Sequence, residues 1–112
     1  MSITAFCPLG LTYAIPMTTS VSLPVQPQVT TTYGAMQCRI INYSNYLTYL
    51  GVGMTAAAAV TNANAPTGGA PTLAVPLLPG TDEVFTFPQG SWFAAVTTQG
   101  TATLYITTGD GM

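Results

Sequence analysis

The clearest strand pattern in the chain lies in the stretch SWFAAVTTQGTATLYITT, residues Ser91–Thr108. In its second half, Ala102, Leu104 and Ile106 alternate with threonine and tyrosine. Successive side chains of a β-strand point to opposite faces, so this period of two is typical of a half-buried strand. The pattern predicts an apolar inner face and an outer face of threonine and tyrosine.

The first half of the stretch, Ser91–Thr97, is apolar on both faces. This predicts a strand that is covered on both sides, or one whose outer face meets a partner. The residues that follow, Thr98–Gly100, predict a short hairpin loop between the two strands, with Gly100 at a positive φ. Further upstream, Pro79 and Gly80 predict the two central positions of a type II turn.

In the rest of the chain, turn-forming residues recur every 8–12 residues or so, a spacing that is typical of sandwiches and barrels. The runs between them are rich in threonine, valine, isoleucine and aromatic residues, which suit strands. With Ser91–Thr97 and Thr101–Thr108, these runs predict an all-β, jelly-roll-like antiparallel β-sandwich of about eight strands. The other predicted strands are Thr18–Leu23, Val29–Tyr33, Gln37–Tyr43, Tyr46–Val52, Thr72–Leu77 and Glu83–Phe87.

A chain of 112 residues can bury one real core, and the sandwich is predicted to be a single domain over residues 17–112. Residues 1–16 are predicted to form an extended N-terminal arm that lies along a surface. The alternative, an edge strand of the chain's own sheet, is equally open. For residues 54–70 a long surface loop is favoured over a short helix at Thr55–Val60, because that helix would have no amphipathic stripe to bury.

The chain is almost without charge, since Arg39, Asp82, Glu83 and Asp110 are its only charged residues, 4% of the total. Ordinary domains are about a quarter charged. Nucleic acid is excluded as a partner, because no basic stripe can form. A membrane is excluded too, because no apolar run approaches the roughly 20 residues of a spanning helix. A neutral, rather apolar surface predicts burial in an assembly, against the alternative that threonine-rich faces stay in water.

The same inventory of residues argues against catalysis. Without histidine and lysine, the commonest general base and the Schiff-base amine are both missing. Cys7 and Cys38 lack a basic partner that would lower their pKa, and free thiols are favoured over a disulfide. Asp82 and Glu83 are adjacent in the sequence, so on a strand they would point to opposite faces and could not form an acid–base pair. We predict no enzymatic activity, no cofactor and no metal site.

Recognition is the chemistry that remains, carried by six tyrosines, four phenylalanines, one tryptophan and five methionines. Tyrosine and methionine are enriched in the cores of interfaces. For the tyrosines that bracket the turn after Gln37–Tyr43, packing at the edge of the core is favoured, with a protein interface and sugar binding as alternatives. The residues predicted to contact a partner are Phe6, Leu9, Leu11, Tyr13, Tyr43, Tyr46 and Tyr49.

Four short motifs give the chain a family resemblance. Pro8–Gly10, Cys38–Asn42, Pro79–Phe85 and Leu104–Gly111 together resemble small virion proteins of tailed bacteriophages, of the capsid decoration or cement type. The alanine-rich stretch Met54–Ala70 departs from that pattern.

The resemblance implies a β-sandwich that is made in the host cytoplasm and sits on the capsid surface of the virion. It also implies dimers or trimers that bind the major capsid protein and bridge neighbouring shell subunits. The alternative function is a receptor- or glycan-binding module of a tail or head fibre.

Overall fold

The structure, a computed structural model, describes residues 7–27 and 35–110. Within these ranges the chain forms seven β-strands and one α-helix. The elements are β1 (Cys7–Met17), β2 (Ala35–Tyr43), β3 (Thr48–Gly53), α1 (Ala56–Asn62), β4 (Val75–Leu77), β5 (Asp82–Pro88), β6 (Trp92–Thr97) and β7 (Ala102–Asp110).

The strands form two antiparallel sheets. The four-stranded sheet has the order β1-β7-β2-β5, and the three-stranded sheet has the order β4-β3-β6. The inner faces of the two sheets enclose the core, in which the ring of Phe93 on β6 meets the edge of Phe87 on β5 at a centroid distance of 5.1 Å. The predicted all-β antiparallel sandwich is therefore confirmed.

The side chains that alternate over Thr101–Thr108 lie on the faces that were predicted for them. Ala102, Leu104 and Ile106 on β7 are buried in the core, whereas the threonines and tyrosine between them are exposed or half-buried. Burial contributes roughly 1.5–3 kcal/mol to the free energy of unfolding for each of the two larger side chains, Leu104 and Ile106. This strand lies in the middle of its sheet, between β1 and β2.

The predicted hairpin between β6 and β7 is wrong. Gly100 does adopt a positive φ of 58°, but β6 pairs with β3 in one sheet while β7 pairs with β1 and β2 in the other. The loop crosses from sheet to sheet instead of turning within one. Two strands show the same pattern of apolar residues whether they lie side by side in one sheet or face each other across the core. The pattern therefore cannot distinguish the two arrangements.

The extended N-terminal arm is also corrected for the part of it that the structure describes. From Cys7 onward the chain is β1, which pairs with β7 from Cys7↔Asp110 to Met17↔Ala102 at one edge of the four-stranded sheet. The register shifts between Pro8 and Thr12. The apolar residues Ile15 and Met17 are buried in the core, which is the reason that the segment joins the sandwich.

A short helix replaces part of the predicted loop at residues 54–70. Helix α1 begins after Thr55, whose Oγ1 accepts a hydrogen bond from the Ala58 N–H at 3.1 Å, a typical N-cap. An amphipathic stripe is not needed here, because α1 packs through small residues. Ala59 and Ala63 lie against Ala94 on the outer face of β6. This cover explains why β6 is apolar on both faces.

The strand predicted at Thr18–Leu23 is not a strand, and the one predicted at Thr72–Leu77 is shortened to β4. The first segment instead runs along the free side of β6 through isolated hydrogen bonds, such as Ser22 N–H to the Ala95 carbonyl at 2.9 Å. The strand predicted at Val29–Tyr33 lies outside the described residues.

Two predictions of local chemistry are confirmed. Gly80 has a φ of 77°, and the Thr81 N–H donates to the Leu78 carbonyl at 3.0 Å, which closes the turn around Pro79 and Gly80. Cys38 is a free, buried thiol, and burial raises its pKa to about 12. In the described part of the chain, no helix has the length and apolar content that crossing a membrane requires.

Candidate contact surface

The outer face of the four-stranded sheet is a regular surface that we call the open face. It consists of the outward-pointing residues of β1, β7, β2 and β5, whose side chains are exposed or half-buried wherever the structure describes them. Rows of directly opposed residues cross all four strands. Two of them are Thr12, Thr107, Arg39 and Val84, and Ala14, Tyr105, Ile41 and Asp82. A third row crosses three strands: Pro16, Thr103 and Tyr43.

Neutral side chains dominate the open face. The hydroxyls of Thr12 and Thr107 are bonded to each other at 2.8 Å across β1 and β7, so each satisfies part of the other's hydrogen-bonding capacity. Such a pair is easier to cover with a partner than two hydroxyls that depend on water. The cost of desolvating this part of the face is therefore low.

The charges on the open face form one ion pair. Arg39 donates two hydrogen bonds to Asp82, from Nε to Oδ1 at 2.7 Å and from Nη2 to Oδ2 at 2.6 Å. The hydrogen bond from Arg39 lowers the pKa of Asp82, and the same bond raises the pKa of Arg39. The pair is solvent-exposed, so its effect on stability is small. Its main consequence is that the face carries no net charge.

Two tyrosines give the open face its largest apolar area. The rings of Tyr43 on β2 and Tyr105 on β7 lie 6.2 Å apart between centroids, with an interplanar angle of 56°. Tyr43 is 73% exposed. Tyrosine combines a rigid apolar ring with a hydroxyl, so exposed pairs of this kind are suited to recognition.

A groove of about 580 Å³ adjoins the Tyr43 end of the open face. Its floor is held by Asn42, whose side-chain N–H groups donate to the carbonyls of Tyr46, Leu77 and Leu78 at 3.0–3.1 Å. Its Oδ1 accepts from the Ser44 hydroxyl at 2.7 Å. Asn42 thus ties β2 of one sheet to the end of β4 in the other. The groove is lined by Asn42, Tyr43, Ser44, Asn45, Tyr46, Gly80, Thr101, Ala102 and Thr103.

The structure distributes the predicted contact residues over several places. Phe6 lies outside the described residues, and Leu9 is part of β1, with a side chain that is likewise outside them. Leu11 is 63% exposed, at the irregular part of β1. Tyr13 is half-buried and opposite Ile106.

The three remaining tyrosines also separate. Tyr43 belongs to the open face, and Tyr46 lies half-buried over Gly100, where an added Cβ would be 3.0 Å from its ring. Tyr49 lies on β3 between Val96 and Pro76, in the other sheet. Only Tyr43 and Tyr46 share a feature, the groove.

Sequence reasoning did not select Tyr105, Val84 or the Arg39–Asp82 pair as parts of a surface. Tyr105 carried a usable signal, because its alternation with Leu104 and Ile106 already placed it on the outer face of β7. The ion pair carried none, since 43 positions separate its partners and only the β2–β5 register brings them together.

The acidic and thiol side chains of the described residues do not form a cluster. In that part of the chain, no three histidine, cysteine, aspartate or glutamate residues come together in a group that could hold a metal ion. The thiol of Cys38 is buried in the core, and its raised pKa keeps it protonated at neutral pH. The arrangement that the geometry offers is a contact surface.

Comparison with known proteins gives distant structural similarities alone. No family model matches the chain, and no curated protein matches it. One similar solved structure is the core of Drosophila NLP, described for pentamer formation and histone binding, with 14% identity and a TM-score of 0.38. The match covers 88% of this chain and 95% of that chain.

A second similar structure is the coat protein of Tobacco streak virus, with 9% identity and a TM-score of 0.34. It covers 99% of this chain and 82% of the coat protein. At such low identities and TM-scores, neither similarity defines a function. The class that the fold supports is a two-sheet, all-β protein with an open, near-neutral face.

Proposed function

We propose that this protein is a structural component of a virus particle, of the decoration or cement type. In this role it binds the outer surface of the capsid and bridges neighbouring subunits of the major capsid protein. The observation that carries the proposal is the open face, a largely neutral surface that includes threonine and tyrosine and in which the charges of Arg39 and Asp82 cancel. The phage resemblance of the sequence motifs supports the same role.

The physical chemistry of such a face suits a cement. Each bridging copy adds contacts that must be lost before the shell opens, which slows rupture as well as shifting the equilibrium. Because one patch recurs over the whole lattice, modest affinity per copy is multiplied by avidity. No histidine is present, so no side chain with an ordinary pKa titrates near neutral pH.

The proposal is tested by heating particles assembled with and without the protein and measuring the temperature at which DNA is released. We expect release at a higher temperature when the protein is present. Equal release temperatures, with the protein shown to be bound, would exclude a stabilising role.

A second measurement tests the neutral character of the contact. Binding to shells is measured in low and in high salt, with a shell-binding protein of basic surface as the control. We expect the affinity to change little, because exposed charges are the interactions that salt screens. A steep loss of affinity in high salt would mean that the open face is not the binding surface.

A receptor- or glycan-binding module is the second candidate function, and the groove beside Tyr43 is the observation that favours it. Aromatic rings, hydroxyls and amides line this groove, which is the mixture that neutral sugars require. A glycan array probed with the isolated protein tests it. Binding that disappears in Tyr43→Ala would favour this function over cement, and a clean negative would remove it.

A further inference from the structure

The two sheets have four edges, and three of them are protected against pairing with another strand. A free edge presents unpaired N–H and C=O groups that can pair with a further strand, so proteins usually block it. β4 is three residues long with Pro76 in the middle. β1 contains two prolines, Pro8 and Pro16, and an irregular register before Thr12.

The edge at β6 is covered by the chain itself. Val25 and Phe93 exchange two backbone hydrogen bonds of 2.7 and 2.8 Å, and the Thr97 N–H donates to the Thr18 carbonyl at 3.1 Å. Between these points, Ser22 donates its N–H to the Ala95 carbonyl and accepts the Ala95 N–H on its hydroxyl. The segment from residue 18 to residue 25 therefore satisfies this edge.

β5 carries no comparable protection in the described structure. It is seven residues long, its register with β2 is continuous, and its one proline, Pro88, is its last residue. It has no lysine, and its two acidic residues lie together at its start.

The direction of the free backbone groups on β5 follows from one hydrogen bond. Asn42 donates its N–H to the Thr81 carbonyl at 2.9 Å, in line with the β2–β5 register. Hydrogen-bonded pairs alternate along an antiparallel ladder, so every second residue after Thr81 bonds to β2. The N–H and C=O groups of Asp82, Val84 and Thr86 therefore point away from β2, to the free edge.

We propose that a second copy of this chain pairs with this edge, with the two β5 strands antiparallel about a two-fold axis at Val84. In this register Asp82 lies opposite Thr86 of the other copy, and Val84 lies opposite its own counterpart. All outward N–H groups of Asp82, Val84 and Thr86 then meet outward carbonyls. The two four-stranded sheets become one continuous sheet, and the two open faces become one larger surface.

A second copy is the occupant that the strand itself favours. In the antiparallel arrangement the acidic ends of the two strands point away from each other, so Asp82 and Glu83 never face their counterparts. A parallel arrangement would place the acidic residues side by side, which is unfavourable. The side chain at the axis, Val84, is an exposed apolar residue. The pairing is independent of what the open face binds, so the two proposals fail separately.

Amide hydrogen exchange in the wild-type protein, followed by NMR over a wide range of protein concentration, tests the pairing. We expect the amides of Asp82, Val84 and Thr86 to become protected as concentration rises. The amides of Glu83 and Phe85, which already bond to β2, are the internal control and should be protected throughout. Outward amides that exchange freely at every concentration would overturn the proposal. So would protection that appears only when a different protein is added.

A matched pair of variants locates the interface. Val84→Lys places two like charges at the two-fold axis, and we expect the dissociation constant of the dimer to rise about tenfold or more. Leu11→Lys changes an exposed aliphatic residue on the opposite edge of the same sheet and should leave it unchanged. Sedimentation equilibrium measures both. An effect of Leu11→Lys alone, or equal dimerisation of both variants and the wild-type protein, would contradict the proposal.

Discussion

The outer faces of the two sheets differ in whether another part of the chain covers them. On the three-stranded sheet, α1 covers the outer side of β3 and β6, which we call the sealed face, and it lies so close that Gly51 and Gly53 have no room for a side chain. A Cβ on Gly51 would be 2.6 Å from the Ala63 Cα, and one on Gly53 would be 2.6 Å from the Ala58 Cβ. The open face of the four-stranded sheet has no such cover within the described structure.

The two faces differ in the size and polarity of their residues. Glycine and alanine on β3, β6 and α1 allow backbone to approach backbone, and burial of Ala94 between them needs no large side chain. Threonine and tyrosine on β7 and β2 instead keep the open face hydrated while the chain is alone. From this contrast we infer that the sealed face serves folding and that the open face serves contact.

The largest effect on stability is expected from filling the sealed face. In Gly51→Ala the new Cβ collides with the backbone of α1 at Ala59 and Ala63, so the helix must move away from β3. Overpacking of this kind costs about 1–3 kcal/mol and sometimes more, and we expect the upper end of that range in urea unfolding. The control is Gly68→Ala, whose Cβ meets nothing within 4 Å. Equal unfolding midpoints for the two variants would mean that α1 is not docked as described.

The next largest effect is expected where the two sheets are tied together. Asn42→Ala removes the donors that reach the carbonyls of Tyr46, Leu77 and Leu78. Leaving buried carbonyls without partners should cost about 2 kcal/mol of the free energy of unfolding. Asn45→Ala, an exposed neighbour in the same turn, should change it by less than about 0.5 kcal/mol. An Asn42 variant as stable as its control would contradict the role of this side chain.

The smallest effect is expected from the ion pair on the open face. The folded state favours the charged form of Asp82, because the bond from Arg39 lowers the pKa of Asp82 below its ordinary value of 3.8. The stabilisation is therefore complete above that ordinary pKa and is lost as the pH falls through the lowered pKa. We expect Asp82→Asn to melt slightly below wild-type at neutral pH and together with it in strong acid. A difference that grows on acidification would show that the pair does not act in this way.

The features of the fold that could be predicted from the sequence are those that a local pattern of residues encodes. Period-two alternation in Thr101–Thr108 was enough to predict strands, an apolar core and a threonine-rich outer face. It could not tell that β6 and β7 belong to different sheets, because alternation reports a strand's faces and not its neighbours. Gly51 and Gly53 lie at the end of the predicted strand Tyr46–Val52 and just after it. Their actual role, close approach of α1, depends on a packing that local sequence does not encode.

The contact surface was predictable in kind more than in detail. Near-absence of charge predicted neutral surfaces, and on the open face the charges of Arg39 and Asp82 are paired. Tyr43, a predicted contact residue, lies on this face and is exposed. Tyr105, its neighbour on the open face, was missed because only the β2–β7 register brings the two rings together. Leu11 and Tyr49 were predicted together with Tyr43 to contact a partner, whereas the topology places Leu11 on the edge strand β1 and Tyr49 in the other sheet.

The most direct test of the contrast between the faces uses Tyr105 and Val60, an exposed residue of α1. Both are 36% exposed, so an arginine at either position faces water in the free protein and should leave the fold intact. We measure the binding of Tyr105→Arg and Val60→Arg to shells stripped of the protein. We expect Tyr105→Arg to weaken binding about tenfold or more, since a buried unpaired charge is costly, and Val60→Arg to bind like wild-type. Full binding by Tyr105→Arg with loss of binding by Val60→Arg would contradict it.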